Sequence, residues 1–338
     1  MSTKNSTKLK NAKAVAERAG VSEMTVSRFF RNPDLLSDDT RQRIADAVAA
    51  FNYVPNRMAQ NLRNTTSDIC ALLVPTVTNS VFVDVISEMS IELEKVGFHV
   101  MVSSTGYDME KEAQLLDTVM SFRPAAIVMP GLEHLPAIKE RLRELTIPVV
   151  EIMDLTSEPI AYGVGFDQHV AQAALMEHLW SKGYRKYGFV GTFLDHDIRA
   201  AKRKDAASAF LKCHGTKFLA ESVLDIGSSP EVGMCAMAGM FEQLEHLDVL
   251  ICSNDDIATG VLTFLHEHGI DVPGQIAVVG FNNLHFSAHL TPSLTTIDTR
   301  RPQIGRETAR LLVDLLQGRE PKNRIIDTGF ELFARDSA

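Results

Sequence analysis

Residues 11–32 read NAKAVAERAGVSEMTVSRFFRN, and this stretch decides how the beginning of the chain folds. Asn11 is placed to cap a first helix, because its side-chain oxygen can accept a hydrogen bond from a backbone N–H at the helix start. Gly20 follows the apolar stripe of that helix, where a residue without a Cβ ends a helix at the least steric cost. Ser22 can cap a second helix. Two helices joined by so short a turn indicate either a helix-turn-helix DNA reader or an ordinary helical hairpin.

A second motif downstream makes the first one more specific. The sequence predicts a third helix from Asp38 to about Phe51, with Ser37 at its start, and the segment NYVPNRMAQNL follows at residues 52–62. Together, VAERAGVSEMTVSR and NYVPNRMAQNL resemble the DNA-binding headpiece and hinge of the lactose-repressor (LacI) family. The resemblance runs through about the first 63 residues, and the rest of the chain agrees with it. It implies a DNA-binding regulator of transcription.

The resemblance also implies which side chains of the second helix read DNA bases in the major groove: Glu23, Met24 and Arg28. The guanidinium of Arg28 can donate to O6 and N7 of a guanine, with a phosphate contact as the alternative. Glu23 can accept from a cytosine amino group, and Met24 can contact a thymine methyl. Contacts to the DNA backbone, which set position without reading sequence, are expected from Thr25, Ser27, Arg31 and Asn56.

The hinge at residues 56–66 is expected to contact the minor groove through Arg57, Ala59 and Leu62. A helix of about two turns is marginal in water by itself. In the family this helix folds when two copies pair over the DNA, and a leucine then wedges between base pairs and kinks the duplex. The resemblance assigns that wedge to Leu62, and the alternative is an ordinary apolar residue in a linker.

Composition bounds the class of protein. A chain of 338 residues is long enough for two or three domains, and 45% hydrophobic residues suffice for buried cores. No apolar run reaches the roughly 18 residues of a membrane span, and the polar N-terminal residues lack the apolar region of an export signal. The four scattered cysteines favour reduced thiols over disulfides or a zinc site. We therefore expect a cytoplasmic protein without a membrane partner, a metal or a cofactor.

The net charge of −9 is distributed unevenly along the chain. Residues 1–66 carry a net charge of +5, and the remainder carries −14. A basic head on an acidic body suits a protein whose head alone contacts a phosphate backbone. A solvated surface is the alternative, but the basic charge coincides with the helix-turn-helix pattern, which favours DNA binding.

From Asp68 onward, short β-rich runs alternate with amphipathic helices. The first series has strands predicted at residues 69–74, 98–103, 126–130 and 148–153, with helices at 81–96 and 108–122. A second series begins near Val164 and has a helix at 168–182 and strands at 187–191, 249–253 and 276–280. Such alternation predicts parallel sheets covered on both faces, and two series predict two lobes.

The expected fold class is therefore an all-α helix-turn-helix headpiece followed by an α/β core of two parallel-sheet lobes. This core resembles the periplasmic-binding-protein-like core of the family, in which the chain crosses between lobes three times. The predicted domains are the headpiece at residues 1–55, the hinge and linker at 56–66, and the effector-binding and dimerisation core at 67–338. Within the core, one lobe is expected at 67–165 and 298–326 and the other at 166–297 and 327–338.

The carboxyl ends of the strands should meet at the cleft between the lobes, where a small molecule would bind. By resemblance, the following residues occupy the effector-binding positions of the family: Thr76, Asn79, Phe82, Asp154, Phe166, Lys202, Asn254, Asp255 and Asn282. For each of the polar members, the alternative is a helix cap or a turn residue, because Asn and Asp are common in those roles after strands.

Two departures from the family pattern point to the chemistry of the effector. Asn282 stands where sugar-binding members usually have an Asp, and Lys202 aligns with a common Arg, with Arg199 and Arg203 nearby. An amide in place of a carboxylate, with a cation retained, favours an anionic ligand. The resemblance to gluconate-type regulators agrees with a sugar acid. The alternative is a solvated Lys202 and a neutral ligand.

The sequence contains no strong catalytic motif, so we expect a regulator and not an enzyme. The most consistent prediction is a homodimeric repressor of carbohydrate catabolic genes, bound to a pseudo-palindromic operator and released by its effector. Within the same class, a regulator that needs a co-repressor or responds to neutral sugars or purines remains open. Two other classes are a sugar-binding receptor, which leaves residues 1–63 unexplained, and an α/β enzyme, which requires a nucleophile or metal set.

Overall fold

In the computed structural model of the chain, residues 11–54, 67–78, 80–131, 134–156 and 158–338 are described. The chain divides into two compact units, Met1–Thr65 and Thr66–Ala338.

In the described residues 11–54, the first unit contains the α-helices α1 (Ala12–Ala19), α2 (Glu23–Arg31) and α3 (Asp38–Phe51). The predicted caps are confirmed, because Asn11 Oδ1 accepts from the backbone N–H of Ala14 at 3.1 Å and Ser22 Oγ accepts from that of Thr25 at 3.1 Å. Gly20 ends α1 with φ of +65°. The core of this unit is a small apolar cluster to which all three helices contribute: Val15, Ala16, Ala19, Val26, Ile44 and Ala47.

The second unit alternates strands and helices over most of its length. Its strands are β1 (Ile69–Val74), β2 (His99–Ser104), β3 (Ala126–Pro130), β4 (Val149–Ile152), β5 (Tyr162–Gly165), β6 (Tyr187–Thr192), β7 (Phe218–Leu224), β8 (Val249–Cys252), β9 (Ala277–Val279), β10 (Thr296–Asp298), β11 (Ile325–Asp327) and β12 (Glu331–Phe333). Its helices are α4 (Val81–Glu94), α5 (Met109–Ser121), α6 (Pro136–Arg143), α7 (Gln168–Ser181), α8 (Ile198–Cys213), α9 (Pro230–Ala238), α10 (Asp255–Glu267) and α11 (Arg301–Leu316).

The strands form two parallel sheets, as the alternating pattern predicts. The first lobe holds six strands in the order β11-β5-β4-β3-β1-β2, and the second holds four in the order β7-β6-β8-β9. Strand β5 lies between β4 and β11, so the strand near Val164 belongs to the first sheet and does not begin the second series. That part of the sequence-based prediction is wrong, because an isolated strand does not reveal its partners.

The chain passes between the two sheets three times. It leaves the first sheet after Gly165 at the end of β5, returns between β10 and α11, and leaves again after β11. An antiparallel pair, β10 with β12, lies along two of these passages. The carboxyl ends of the strands of both sheets therefore lead into the loops where the lobes meet, which is where ligands bind in open α/β sheets.

None of the helices in the described part of the chain combines the length and the apolar character needed to span a lipid bilayer.

Candidate functional site

Helix α2 presents the three predicted base-reading side chains to solvent. Met24 is 65% exposed, which is unusual for a methionine, and Glu23 and Arg28 are exposed as well. Val26 on the opposite side is buried in the headpiece core and anchors the helix. Met24 and Arg28 are one helical turn apart, so they lie on one face of α2. An exposed apolar side chain beside a guanidinium suits the contacts expected in a major groove.

Of the predicted backbone-contacting residues, Thr25 and Ser27 are partly exposed on the same helix. Thr25 also has a structural role, because its backbone N–H and hydroxyl both contact the capping hydroxyl of Ser22. The other predicted DNA contacts lie outside the described residues: Asn56, Arg57, Ala59, Leu62 and the side chain of Arg31.

A cavity lies between the two lobes of the second unit. Its volume is about 390 Å³, including the part open to solvent. Four of the predicted effector-binding residues line it: Phe82, Phe166, Asn254 and Asn282. Its remaining wall consists of residues that the sequence-based prediction did not assign to it: Val81, Tyr107, Met153, Gln168, Asp197, Arg199 and Arg203.

The positive charge of this cavity comes from Arg199 and Arg203, one turn apart on α8. The guanidinium of Arg203 donates to Gln168 Oε1 at 2.9 Å and to the carbonyl of Ser253 at 2.9 Å, both neutral acceptors. It also lies 4.3 Å from the ring centroid of Phe281. Burial lowers the pKa of Arg203 to about 10, so the side chain is still a cation at neutral pH.

Arg199 has a different environment. Its side chain lies 5.5 Å from the ring centroid of Phe82 and 3.7 Å from Oδ1 of Asp197, the residue that caps α8. The carboxylate offsets part of this charge, whereas the salt bridges of the described residues include none to Arg203. Asp197 and Asp154 stabilise the charge of Arg203 at longer range, but no carboxylate of the described residues forms a salt bridge with it.

Tyr107 closes the cavity from the first lobe. It follows β2 with φ of +62° and packs edge-on against Phe193 at a centroid distance of 5.4 Å. Burial raises the pKa of Tyr107, so its hydroxyl is a neutral hydrogen-bonding group at the cavity wall.

Lys202 was predicted to supply the cation, and the structure places its charge elsewhere. Its Nζ lies 2.6 Å from Oδ2 of Asp154, and among the described residues neither side chain lines the cavity. Two predicted ligand-binding residues are thus paired with each other. The sequence shows three cations within five residues of α8, and the spacing of four between Arg199 and Arg203 is the signal that places both on one face.

The geometry also speaks against a ligand contact by Asp255. This side chain is fully buried, and its carboxylate accepts from Leu284 N at 2.8 Å, Ser287 Oγ at 2.6 Å and Thr296 Oγ1 at 2.7 Å. Burial raises its pKa. Asp255 therefore fixes the loop that follows β9, and with it the position of Asn282.

The remaining predictions for the cleft concern Thr76, Asn79 and Asn254. Thr76 lies in the turn after β1, where its hydroxyl accepts from Thr78 N at 3.1 Å, and among the described residues it does not line the cavity. Asn79 lies outside the described residues. Asn254 caps α10, since its Oδ1 accepts from Ile257 N at 3.0 Å, and it lines the cavity as well.

Comparison with known proteins agrees with both halves of this description. A model of the bacterial regulatory proteins of the lacI family matches residues 12–56, and a model of a periplasmic binding protein-like domain matches residues 176–338. The HTH-type transcriptional regulator GntR of Pseudomonas aeruginosa is 33% identical over 328 residues, covering 96% of this chain and 94% of that protein. The regulator IdnR of Escherichia coli is 30% identical over 320 residues, covering 94% and 96%.

A solved structure extends the likeness to three dimensions. The crystal structure of a LacI-family transcriptional regulator from Silicibacter pomeroyi matches with a TM-score of 0.91 at 35% identity. The match covers 97% of this chain and 99% of that one.

Proposed function

This chain belongs to the LacI family and is a sequence-specific DNA-binding transcriptional regulator, and from that premise we propose that it represses sugar-acid catabolic genes. In this proposal a small carboxylate such as gluconate binds between the lobes of the core and releases the protein from its operator.

The buried guanidinium of Arg203 is the observation that carries this proposal. A buried charge is costly unless it is paired, and Arg203 is held by two neutral acceptors and an aromatic face. Asp197 balances only part of the charge of the two arginines, and a ligand carboxylate beside Arg203 and Arg199 would add a second negative charge through short, strong hydrogen bonds. The amides of Gln168, Asn254 and Asn282 line the same cavity and suit the hydroxyl groups of a polyol.

The cavity walls also bear on the neutral alternatives. Phe82 and Phe166 offer apolar faces that would accept a sugar ring or a purine. A neutral ligand would, however, desolvate the two arginines and leave the single carboxylate of Asp197 to balance both charges in the cavity wall. We therefore favour a sugar acid over a neutral sugar or a purine base. The name GntR of the Pseudomonas aeruginosa relative is consistent with this choice.

The proposed mechanism uses the architecture of the core. A ligand that contacts both lobes changes their relative pose only if it binds one pose more tightly than the other. We propose that the protein acts as a homodimer, so that two headpieces bind the two half-sites of a pseudo-palindromic operator. A change in lobe pose alters how the two copies present their headpieces, and the affinity for the operator falls.

A thermal-shift panel tests the ligand class directly. The full-length protein is heated with gluconate, 6-phosphogluconate, glucose and hypoxanthine, each at a range of concentrations. A ligand that binds only the native state stabilises it by about 2.7 kcal/mol at a hundredfold excess over its dissociation constant. We expect gluconate to raise the midpoint and glucose and hypoxanthine to leave it unchanged. A shift with glucose or hypoxanthine alone contradicts the sugar-acid proposal.

Operator binding tests the direction of regulation. A DNA fragment selected by the protein from random sequence is titrated with and without gluconate, at one fixed salt concentration. Weaker binding in the presence of gluconate supports release of a repressor by an inducer. Tighter binding identifies gluconate as a co-repressor and contradicts the proposed mechanism.

A further inference from the structure

The loop after β9, residues 282–285, connects the cavity wall of the second lobe to the helices of the first lobe. The side chain of Asn282 lines the cavity, while its carbonyl accepts from Nη1 of Arg301 at the start of α11. The neighbouring carbonyl of Asn283 accepts from Nη2 of Arg301 at 3.2 Å. One guanidinium therefore binds two successive carbonyls of a loop that carries a cavity residue.

The same guanidinium is joined to α4 of the first lobe. Nε and Nη2 of Arg301 each lie 3.0 Å from Oδ2 of Asp84. The other carboxylate oxygen of Asp84 lies 3.0 Å from Nε2 of His285, which belongs to the loop. Arg301 is only 3% exposed, so its contacts to Asp84 are shielded from water and correspondingly strong, whereas the side chain of His285 is 75% exposed.

Helices α4 and α11 are in close contact. A Cβ on Gly305 would lie 2.8 Å from the carbonyl oxygen of Val85, so only a glycine permits this approach. The next residue of α11, Arg306, forms an ion pair with Glu88 of α4 at 3.2 Å. Asp84 of α4 and Arg301 of α11 thus bind the 282–285 loop of the second lobe from two closely packed helices of the first lobe.

The loop itself has a constrained backbone. Asn282 and Asn283 have φ of +108° and +51°, a backbone region that residues other than glycine adopt at a cost in free energy. Asn282 N donates to the carbonyl of Ile297 at 2.9 Å, and Asp255 binds the loop from the side of the second lobe. A ligand that binds the side chain of Asn282 therefore acts on the same loop whose carbonyls, at Asn282 and Asn283, accept hydrogen bonds from Arg301.

We propose that Arg301 and Asp84 are positioning residues that transmit occupancy of the cavity to helix α4 of the first lobe, by way of the 282–285 loop. This inference rests on the proposed function, in which an effector in the cavity changes operator affinity. It adds the residues through which the effector acts and does not depend on which sugar acid is bound.

The test compares Arg301→Lys with Arg306→Lys in the full-length protein. Both variants keep one positive charge on α11, but a lysine ammonium cannot span a carboxylate and two carbonyls as the planar guanidinium does. Arg306 pairs with Glu88 on the same helix α4, and among the described residues its ion pair does not involve the 282–285 loop, so Arg306 is the matched control. Thermal midpoints show whether each variant is folded, and Asp84→Asn replaces Arg301→Lys if that variant is not.

The first readout is the ratio of operator dissociation constants with and without saturating sodium gluconate. Coupling factors in allosteric proteins are typically about 5- to 150-fold. We expect Arg301→Lys to reduce this ratio to about twofold or less, while its gluconate affinity without DNA stays within about threefold. Arg306→Lys should keep the ratio of the unaltered protein. A normal ratio in Arg301→Lys overturns the inference, and so does a loss of gluconate binding above tenfold, which would identify a ligand contact.

The second readout needs no ligand and separates this inference from the proposed function. Amide hydrogen exchange is measured over residues 281–287 in the ligand-free proteins. Faster exchange in Arg301→Lys but not in Arg306→Lys supports the role of Arg301 in holding the loop, even if gluconate fails to affect the unaltered protein. Unchanged exchange in Arg301→Lys overturns that role.

Discussion

Arg199 and Lys202 lie three residues apart on α8, and their charges serve different purposes. Arg199 faces the cavity, whereas Lys202 neutralises Asp154, a carboxylate that is 2% exposed. An unpaired charge at that depth costs several times as much as an ordinary surface ion pair contributes. We therefore expect Lys202 to stabilise the fold through Asp154 and not to contact a ligand in the cavity.

Exchanging these two charges for amides should separate binding from stability. We expect Arg199→Gln to weaken gluconate binding by about tenfold or more, because a charge-assisted hydrogen bond contributes roughly 1.5–3 kcal/mol. Lys202→Gln should leave gluconate affinity within about threefold but lower the thermal midpoint. Isothermal titration and thermal unfolding of both variants measure the two effects. The reverse pattern would return Lys202 to the cavity and remove Arg199 from it.

Arg28 on α2 is the side chain for which base reading and phosphate binding differ most sharply in their consequences. If Arg28 donates to a guanine, Arg28→Ala should cost about 1–3 kcal/mol on the operator and relax the preference at one base pair. If it contacts a phosphate, all DNA sequences should lose affinity alike and the salt slope should fall by about one. Fluorescence anisotropy on operator and scrambled DNA at three salt concentrations distinguishes the two. Arg43→Ala is the control, since Arg43 pairs with Asp39 on α3.

At the scale of elements, the crossing of α9 and α10 holds the second lobe together behind the cavity. A Cβ on Gly260 of α10 would lie 1.9 Å from the carbonyl oxygen of Pro230, and a Cβ on Gly233 of α9 would lie 2.3 Å from that of Ile257. Both obstacles are backbone atoms, which cannot rotate away. The two helices therefore approach as closely as they do because each has a glycine at the contact.

Gly260→Ala should consequently force the helices apart. Overpacking of this kind costs about 1–3 kcal/mol, and we expect a loss of that size in the free energy of unfolding. Since α10 begins beside the cavity residue Asn254, gluconate affinity should fall as well. Gly239→Ala is the matched control, because the nearest atom to its Cβ is 3.5 Å away. Urea unfolding measures the free energy of unfolding of both variants. Equal values would show that the contact between α9 and α10 can accommodate a Cβ at residue 260.

How much of the fold the sequence predicts depends on where each strand finds its partners. The runs at 69–74 and 126–130 are buried on both faces and continuously apolar, so their own composition predicts them. Strand β7 alternates buried and exposed residues at the edge of its sheet, and β10, β11 and β12 span three residues each. Strands this short are held by partners distant in sequence, so their own residues contain no sufficient signal.

The same limit applies to the cavity. The rule that ligand-facing residues follow parallel strands predicted Asn254 and Asn282, both of which line it. It also predicted Asp255, which follows the same strand but turns into the protein. Arg203 reaches the cavity from within α8: its spacing of four from Arg199 places both on one face of the helix, but only the packing of α8 decides that this face is the one turned to the cavity. The position of a residue after a strand therefore predicted which loops border the cavity, but it did not predict whether the side chain points into the cavity or into the protein.

At the scale of the whole molecule, the net charge is distributed unevenly between the beginning of the chain and the rest. Residues 1–66 carry a net charge of +5, and the remaining 272 residues carry −14. Phosphate attracts the first part and repels the second, so we expect the affinity for DNA to come from residues 1–66. Operator binding should therefore weaken steeply with salt, whereas effector binding in the buried cavity should change little.

The predicted role of Leu62 depends on the two-fold symmetry of the proposed homodimer. It lies outside the described residues, and its predicted role as a wedge in the minor groove requires two copies of the hinge to meet at the centre of one operator. The contact forms only on a site that places both headpieces correctly, so it should contribute to specific binding and not to general attraction.

We accordingly expect Leu62→Ala to weaken binding to the full palindromic operator by tenfold or more, and to change binding to scrambled DNA by less than about twofold. The reason is that non-specific binding is almost entirely electrostatic, and this substitution removes no charge. Leu35→Ala removes a leucine that is 69% exposed elsewhere in the headpiece, and it should leave both affinities unchanged. A half-site duplex completes the test, because a single half-site brings no second hinge and should show no difference between Leu62→Ala and the unaltered protein. Equal losses on all three DNAs would mean that Leu62 acts by stabilising the headpiece and not by wedging the duplex.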